Sequence, residues 1–131
     1  MKTYRINACS CILELGPPTK IMGIVNVTPD SFSLDGHLDK NKKSKNSAFH
    51  YAQKLIQQGA DIIDIGGESS RPGSKPVSIK EEIKRVIPII RQLNKKCTVP
   101  ISIDTYKPEV AQAALEEGAV IVNNIMGAKL N

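Results

Sequence analysis

Four apolar segments of this sequence each end on, or run into, a polar side chain: Asn26, Asp64, Asp104 and Asn123. Taken singly, such a residue more often caps a helix or forms a turn. Four of them in equivalent positions favour a ligand site, because parallel α/β proteins bind ligands at the carboxyl ends of their strands. The carboxylate of Asp104 can accept two N–H groups, and the amide of Asn123 both donates and accepts. This pair suits a flat heterocycle with an amidine-like edge.

A second polar segment, Gly66–Gly73, combines flexible backbone with hydroxyl groups and one arginine, Arg71. Hydroxyls and a guanidinium fork suit phosphate oxygens. The segment is not a G-x-x-x-x-G-K-[ST] loop, and no G-x-G-x-x-G follows any predicted strand. A P-loop nucleotide site and a Rossmann cofactor are therefore not expected.

The first polar segment, Asn26–Ser33, leads into a long polar stretch that ends near Asn46. Connections of this length are usually functional or mobile. Asn26 and Asp35 offer hard oxygen ligands suited to Mg²⁺ beside a diphosphate. The two histidines, His37 and His50, stand alone and are interpreted as surface residues rather than catalysts.

The segments expected to position these residues alternate between strand and helix. Apolar runs predict strands over 21–25, 61–65, 99–103 and 119–122. Helical spacing predicts helices over 47–58 and 79–94, and a third from Pro108 to near Gly118. The second helix begins with a capping box, Ser78 to Glu81, and contains Pro88, which should kink it. Strands that are apolar throughout are typical of a sheet covered on both faces.

The fold class is therefore α/β with a parallel sheet. Alternating residues over Thr3–Ala8 and Cys11–Leu15 predict a small hairpin within residues 1–17, ahead of four strands and three helices in 18–131. The pattern alone leaves open a doubly wound sheet or a (β/α)8 barrel. A barrel normally takes about 250 residues, so four strands would form half of one.

Composition excludes several classes of function. The chain has 131 residues, a net charge of +5, 40% hydrophobic residues and no Trp. It lacks an apolar run of membrane-spanning length and an aromatic platform for nucleic acid. The Lys-rich segment, Lys40–Lys45, is interpreted as a solvated loop, with a basic loop near an anionic ligand as the alternative. Three sparse cysteines argue against a disulfide framework and for a cytoplasmic location.

Two long motifs resemble the signatures of the dihydropteroate synthase family. Met22–Ser33 looks like its first signature and Asp64–Gly73 like its second, while Ile101–Thr105 and Ile121–Asn123 fit its pterin-contacting strand ends. The resemblance implies a (β/α)8 TIM barrel, of which this chain would supply about the first four βα units. It implies a transferase of folate biosynthesis that joins 7,8-dihydropterin-6-ylmethyl diphosphate to 4-aminobenzoate and releases diphosphate.

The resemblance also implies roles for individual residues. Asn26 would bind Mg²⁺ and act in catalysis with Asp35 and Arg71, and diphosphate would leave before the arylamine attacks. The pterin diphosphate would be bound by Ser70, Arg71, Asp104 and Asn123. The aminobenzoate pocket would be closed by Phe32 and Pro72.

Three departures from the family pattern are visible. Ser70 replaces the usual Thr, Asn124 stands in place of an Asp, and Asp35 lies one position late. The family also uses an Asp, a Lys and an Arg-x-His from its second half. We therefore expect this chain alone to be inactive or very weak, and to self-associate through open sheet edges or require a complementary half.

The alternatives are a non-catalytic fragment and the pterin-binding domain of a methyltetrahydrofolate methyltransferase, which handles no diphosphate. A nucleic-acid-binding module is the weakest of the interpretations.

Overall fold

The computed structural model describes residues 2–8, 10–28 and 45–127. A hairpin comes first, formed by β1 (Tyr4–Ala8) and β2 (Cys11–Leu15). The strands that follow are β3 (Met22–Asn26), β4 (Ile62–Gly66), β5 (Ile101–Asp104) and β6 (Ile121–Asn123). They alternate with the helices α1 (Lys45–Gln57), α2 (Ile79–Lys96) and α3 (Pro108–Glu116).

The four later strands form one parallel sheet in the order β3-β4-β5-β6. A doubly wound sheet reverses direction from a central strand, whereas a barrel adds each strand beside the preceding one. The sequential order therefore selects the barrel that the sequence left as one of two choices. Among the described residues, the prediction of a hairpin followed by part of a barrel is confirmed.

The sheet has two chemically different faces. The outer face lies against the helices and is buried and apolar, with Gly23, Val25, Ile63, Ile65, Ile101 and Ile103. The opposite, inner face carries the polar residues Asn26, Asp64, Ser102, Asp104 and Asn123. Side chains alternate between the two faces along a strand. The observed register therefore places these apolar residues against the helices and these polar residues on the inner face.

The helices form for reasons that the sequence predicts. Ser78 Oγ accepts a hydrogen bond of 3.2 Å from the Glu81 N–H, which caps α2. The buried stripe of α2 contains Val86, Ile89, Ile90 and Leu93. Pro88 lies inside α2 on an exposed position, and the helix continues past it to Lys96. Burial of the stripe therefore outweighs the lost backbone hydrogen bond.

The predicted boundaries are wrong by one or two residues in places. The third strand of the sheet was predicted to begin at Val99 and begins at Ile101, because Pro100 has no N–H to donate. The carbonyl of Pro100 still accepts a hydrogen bond of 3.1 Å from the Ile63 N–H. The first helix begins at Lys45, two residues earlier than predicted.

The expectation that both faces of every strand are covered is wrong for the edge strands of the described sheet. Met22 and Ile24 of β3 are exposed on the inner face, and Val122 of β6 is exposed as well. At the centre of the sheet, Ile62 and Asp64 of β4 are buried. No helix in the described part of the chain is long and apolar enough to cross a membrane.

Candidate functional site

Neighbouring strand ends bring the predicted polar residues side by side. The register pairs Asn26 with Gly66, Gly66 with Asp104, and Asp104 with Asn123. These four residues form a row across the carboxyl edge of the sheet, with Asp64 one inward-facing position below Gly66. The predicted convergence of Asn26, Asp64, Asp104 and Asn123 follows directly from parallel strands that end together.

Gly66 leaves an open space in the middle of this row. A Cβ atom at Gly66 would lie 3.5 Å from Asn26 Oδ1 and 3.5 Å from Asp104 Oδ2. The amide oxygen and the carboxylate oxygen therefore flank a cradle that any larger side chain would fill. A ligand in this cradle would meet two oxygen acceptors on opposite sides.

A hydrogen bond fixes the orientation of the Asn123 amide. Asn123 Nδ2 donates to Asp64 Oδ2 at 3.1 Å, and a carboxylate can only accept. The amide oxygen of Asn123 is therefore left to accept from a ligand. Within the described residues, Asp64 Oδ1 and Ser102 Oγ are buried and have no hydrogen-bond partner. Both atoms are therefore available to hydrogen-bond a ligand or a water molecule.

The electrostatics of the row favour a ligand that is rich in N–H donors. Burial raises the pKa of Asp104, and the nearby carboxylates of Asp64 and Glu82 raise it further. Hydrogen bonds donated to the ionised carboxylate would offset both effects. An amidine-like edge supplies two such donors in one plane.

The loop after β4 lies beside this row, and its first residues pack closely against α2. A Cβ atom at Gly67 would lie 2.8 Å from Val86 Cγ1 and 2.9 Å from Glu82 Cγ, so the loop backbone contacts α2 directly. Ser69 Oγ accepts a hydrogen bond from the Arg71 N–H, and Ser69 O accepts one from Ser74 Oγ. Ser70, Arg71 and Pro72 are exposed. The loop therefore presents a hydroxyl and a guanidinium to solvent.

Comparison with known families decides the classification. The family model described as "pterin binding enzyme" matches residues 22–131, which is most of the chain. The chain belongs to the pterin binding enzyme family.

Several relatives within this family are dihydropteroate synthases. The chain is 54% identical to that of Bacillus subtilis over 128 residues, which is 98% of this chain and 44% of the relative. A Xanthomonas albilineans dihydropteroate synthase with 4-aminobenzoic acid superposes with a TM-score of 0.88 at 42% identity, covering 98% of this chain and 45% of that one.

The Xanthomonas enzyme in complex with 7,8-dihydropteroate gives a TM-score of 0.82 at 39% identity, covering 97% of this chain and 44% of that one. The chain therefore spans less than half the length of these relatives.

Two predicted site residues of this pterin binding enzyme, Phe32 and Asp35, lie outside the described residues, as do Lys40, Lys42 and Lys43. Their roles stay predictions. The described part of the first loop ends at Thr28, and the Val27 N–H donates to Gly66 O at 2.7 Å. The first loop therefore starts next to the Gly66 cradle.

Sequence reasoning missed an ionic cluster below the loop that joins β4 to α2, which is called the second loop. Lys107 Nζ lies 2.5 Å from Glu68 Oε2 and 2.5 Å from Glu82 Oε2. A signal for it exists in the sequence: Glu82 falls four residues before Val86, on the apolar stripe of α2, where a charged side chain requires a buried partner.

Proposed function

We propose that this chain forms the pterin- and diphosphate-binding half of a dihydropteroate synthase. The full-length enzyme would join 7,8-dihydropterin-6-ylmethyl diphosphate to 4-aminobenzoate and release diphosphate. The observation that carries the proposal is the row of acceptors at the strand ends, in which Asn26 and Asp104 flank the Gly66 cradle and the oriented amide of Asn123 lies beside Asp104.

Pterin recognition would rest on Asp104 and Asn123. A pterin ring has an amidine-like edge, and the ionised Asp104 carboxylate would accept two N–H groups from it. Asn123, held by Asp64, would accept a further N–H through its amide oxygen. The raised pKa of Asp104 makes this contact dependent on pH, since only the ionised carboxylate accepts both protons.

Diphosphate recognition would rest on Ser70 and Arg71. Both are exposed on the loop after β4, and the Arg71 guanidinium has no ion-pair partner among the described residues. Its planar fork matches two phosphate oxygens. As diphosphate leaves, its charge grows, and a fixed cation beside it lowers the barrier.

The residues present fit Mg²⁺ bound mainly by the substrate. No group of three or more His, Cys, Asp or Glu side chains in the described ranges could hold a metal. Mg²⁺ commonly takes one or two protein oxygens and completes its shell with phosphate and water. Asn26 Oδ1, at the rim of the Gly66 cradle, would supply one such oxygen. When bound, Mg²⁺ would neutralise charge on the diphosphate.

The aminobenzoate would lie between the two loops, with Pro72 and Phe32 closing its pocket. Pro72 is exposed on the second loop and follows Arg71 directly. The structural relative with bound 4-aminobenzoic acid supports this substrate class.

The experiment is a binding titration of the 131-residue chain. Pterin diphosphate is titrated with and without Mg²⁺, and hydroxymethyl-dihydropterin, which lacks the diphosphate, serves as the second ligand. We expect tighter binding of the diphosphate ligand, still tighter binding with Mg²⁺, and loss of the advantage of the diphosphate ligand in Arg71→Ala. In Asp104→Ala both ligands should bind about 10- to 100-fold more weakly, the effect of an unpaired hydrogen-bonding edge.

Equal affinity for both ligands in the wild type would contradict the synthase and favour a pterin-binding domain that handles no diphosphate. If the wild type binds neither ligand, the pterin site itself is contradicted. Lys84→Met, on an exposed position of α2, is the control for nonspecific electrostatic binding.

The activity and assembly of the isolated chain are a separate proposal. We propose that the purified chain is inactive in a dihydropteroate assay and associates through the edges of β3 and β6. Support comes from the exposed apolar residues Met22, Ile24 and Val122 on these two strands. Analytical ultracentrifugation tests it, and a stable monomer with synthase activity would contradict both parts. We also propose that the protein is cytoplasmic in the cell, since its cysteines are sparse.

A further inference from the structure

Lys107 holds the two ends of the second loop. The Val77 N–H donates to Glu68 Oε2 at 2.8 Å, and Val77 O accepts from Lys107 Nζ at 2.7 Å. Lys107 Nζ also donates to Glu68 and to Glu82, and the Tyr106 hydroxyl donates to Glu68 Oε1 at 2.9 Å. The residues Lys107, Glu68, Glu82 and Val77 are called the lysine clamp below.

All three ammonium protons of Lys107 are used within the clamp. Each points to a different element: the start of the loop at Glu68, its end at Val77, and helix α2 at Glu82. Lys107 therefore has no proton left for a phosphate oxygen. Its side chain is only 11% exposed, which also separates it from a ligand in solvent.

The clamp lies mostly out of solvent. Glu82 is 1% exposed, and two carboxylates share one ammonium. Burial alone would lower the pKa of Lys107, but the hydrogen bonds to Glu68 and Glu82 outweigh it and raise the pKa above its ordinary value. Buried ion pairs contribute little net stability compared with apolar packing, but they are strongly dependent on geometry. Such a cluster is better suited to fixing a position than to stabilising the fold.

Between the clamped ends, the loop has few other supports from the part of the chain that the structure describes. Residues 70–76 are all exposed, and the hydrogen bonds within this segment are local, between Ser69, Arg71 and Ser74. The position of the Arg71 guanidinium therefore depends on the base of the loop.

Lys107 also follows the predicted pterin-contacting strand end. Its own N–H donates to Thr105 Oγ1 at 3.2 Å, and Thr105 is the next residue after Asp104. One residue thus ties the segment that follows Asp104 to both ends of the loop that carries Arg71.

We propose that Lys107 is a positioning residue that places Arg71 at a fixed distance from Asp104 and thereby sets the affinity for the diphosphate part of the substrate. This inference rests on the proposed function, since it assigns the diphosphate to Arg71. It predicts that breaking the clamp weakens diphosphate binding while pterin binding persists.

Two variants of the full chain test the clamp at different severity. Lys107→Met removes the ammonium and leaves both carboxylates without their cationic partner. Glu68→Gln is milder, because it keeps side-chain volume and leaves Lys107 and Glu82 as a neutral pair. The control is Arg91→Met, which breaks the ion pair that joins Arg91 of α2 to Glu117 at the end of α3.

The first readout is hydrogen exchange of the unliganded chain over residues 68–78. We expect exchange there to rise about tenfold or more in Glu68→Gln and Lys107→Met, while Arg91→Met leaves it unchanged. The second readout is affinity for pterin diphosphate and for hydroxymethyl-dihydropterin. We expect a loss of about 10- to 100-fold for the diphosphate ligand and less than about twofold for the other.

Unchanged loop exchange in Glu68→Gln would overturn the clamp whatever the ligands do. Equal losses for both ligands would also overturn it, because a general structural role would affect the whole site. If the wild type binds neither ligand, the proposed function fails, and the exchange readout still decides whether Lys107 fixes the loop.

Discussion

Asn123 Nδ2 donates to Asp64 Oδ2 although β5 lies between their two strands. Strands separated by one neighbour are about 9–10 Å apart, and side chains on a flat sheet rise in parallel rather than converging. The inner face must therefore curve inward, and Ser102, beside Asp64 on β5, must be small enough to let the amide pass over it. A single hydrogen bond thus reports both barrel curvature and the orientation of a candidate ligand-binding amide.

Asp64→Asn should shift the pH dependence of pterin binding to lower pH. The Asp64 carboxylate helps to raise the pKa of Asp104, and its removal lowers that pKa towards the ordinary range. Binding is lost as pH falls through the pKa of Asp104 in the free protein, so the variant should retain binding further into acid. Titrations of hydroxymethyl-dihydropterin across the acid range measure the midpoint, and a midpoint that stays in place would contradict the assigned coupling.

Asp104→Asn should make the protein more stable at neutral pH while it weakens pterin binding. The pKa of Asp104 is raised in the fold, so ionisation of this carboxyl destabilises the folded state. The gain in free energy of unfolding of Asp104→Asn over the wild type should be near zero below the unfolded-state pKa of 3.8. It should grow as pH rises towards the pKa of Asp104 in the folded protein. Urea unfolding at several pH values measures it. An Asn variant that is less stable at neutral pH would show that Asp104 is favourably paired.

Pro88→Ala should stabilise helix α2. Proline removes one backbone hydrogen bond from a helix interior and its ring crowds the carbonyl four residues earlier, here that of Lys84. We expect the free energy of unfolding to rise by about 1–2 kcal/mol, after allowance for the greater entropy of the unfolded Ala chain. Pro108→Ala is the matched control, because Pro108 is the first residue of α3 and should change stability by less than about 0.5 kcal/mol.

The strand-end row could be predicted from the sequence. That prediction needs only the strand and helix periodicities and the rule that parallel strands end at the same edge of a sheet. Alternation placed Asn26 and Asp104 on one face, and the order of strands and helices placed them at one edge. The choice of a barrel over a doubly wound sheet did not follow from periodicity, since both use the same units. It followed from the motif resemblance and is visible in the sequential strand order.

The lysine clamp could not be predicted because its members are distant in sequence. Lys107 and Glu68 are separated by 39 positions and Lys107 and Glu82 by 25, and no local pattern joins them. Only Glu82 carried a signal, as a charge on an apolar helix stripe. Which cation would neutralise it depended on how the loop after β5 meets α2.

Gly66 and Gly67 are adjacent, but an added methyl group should affect the stability of the fold very differently at the two positions. A Cβ at Gly67 would approach Val86 and Glu82 to 2.8 Å and 2.9 Å, closer than real Cβ atoms allow. We expect Gly67→Ala to destabilise the fold by about 1–3 kcal/mol, the usual effect of overpacking. A Cβ at Gly66 makes only ordinary contacts, the nearest at 3.5 Å, so Gly66→Ala should change stability by less than about 0.5 kcal/mol.

The effects of the two substitutions on pterin affinity should be the reverse of their effects on stability. The methyl group added by Gly66→Ala would occupy the cradle between Asn26 and Asp104, so this variant should lose affinity for pterin ligands by about tenfold or more, the equivalent of one or more contacts. Gly67→Ala should retain that affinity in whatever fraction stays folded, because its methyl group faces α2. Urea unfolding and ligand titration of both variants measure the two effects separately. A Gly66→Ala variant that binds pterin like the wild type would show that the ligand does not occupy the cradle.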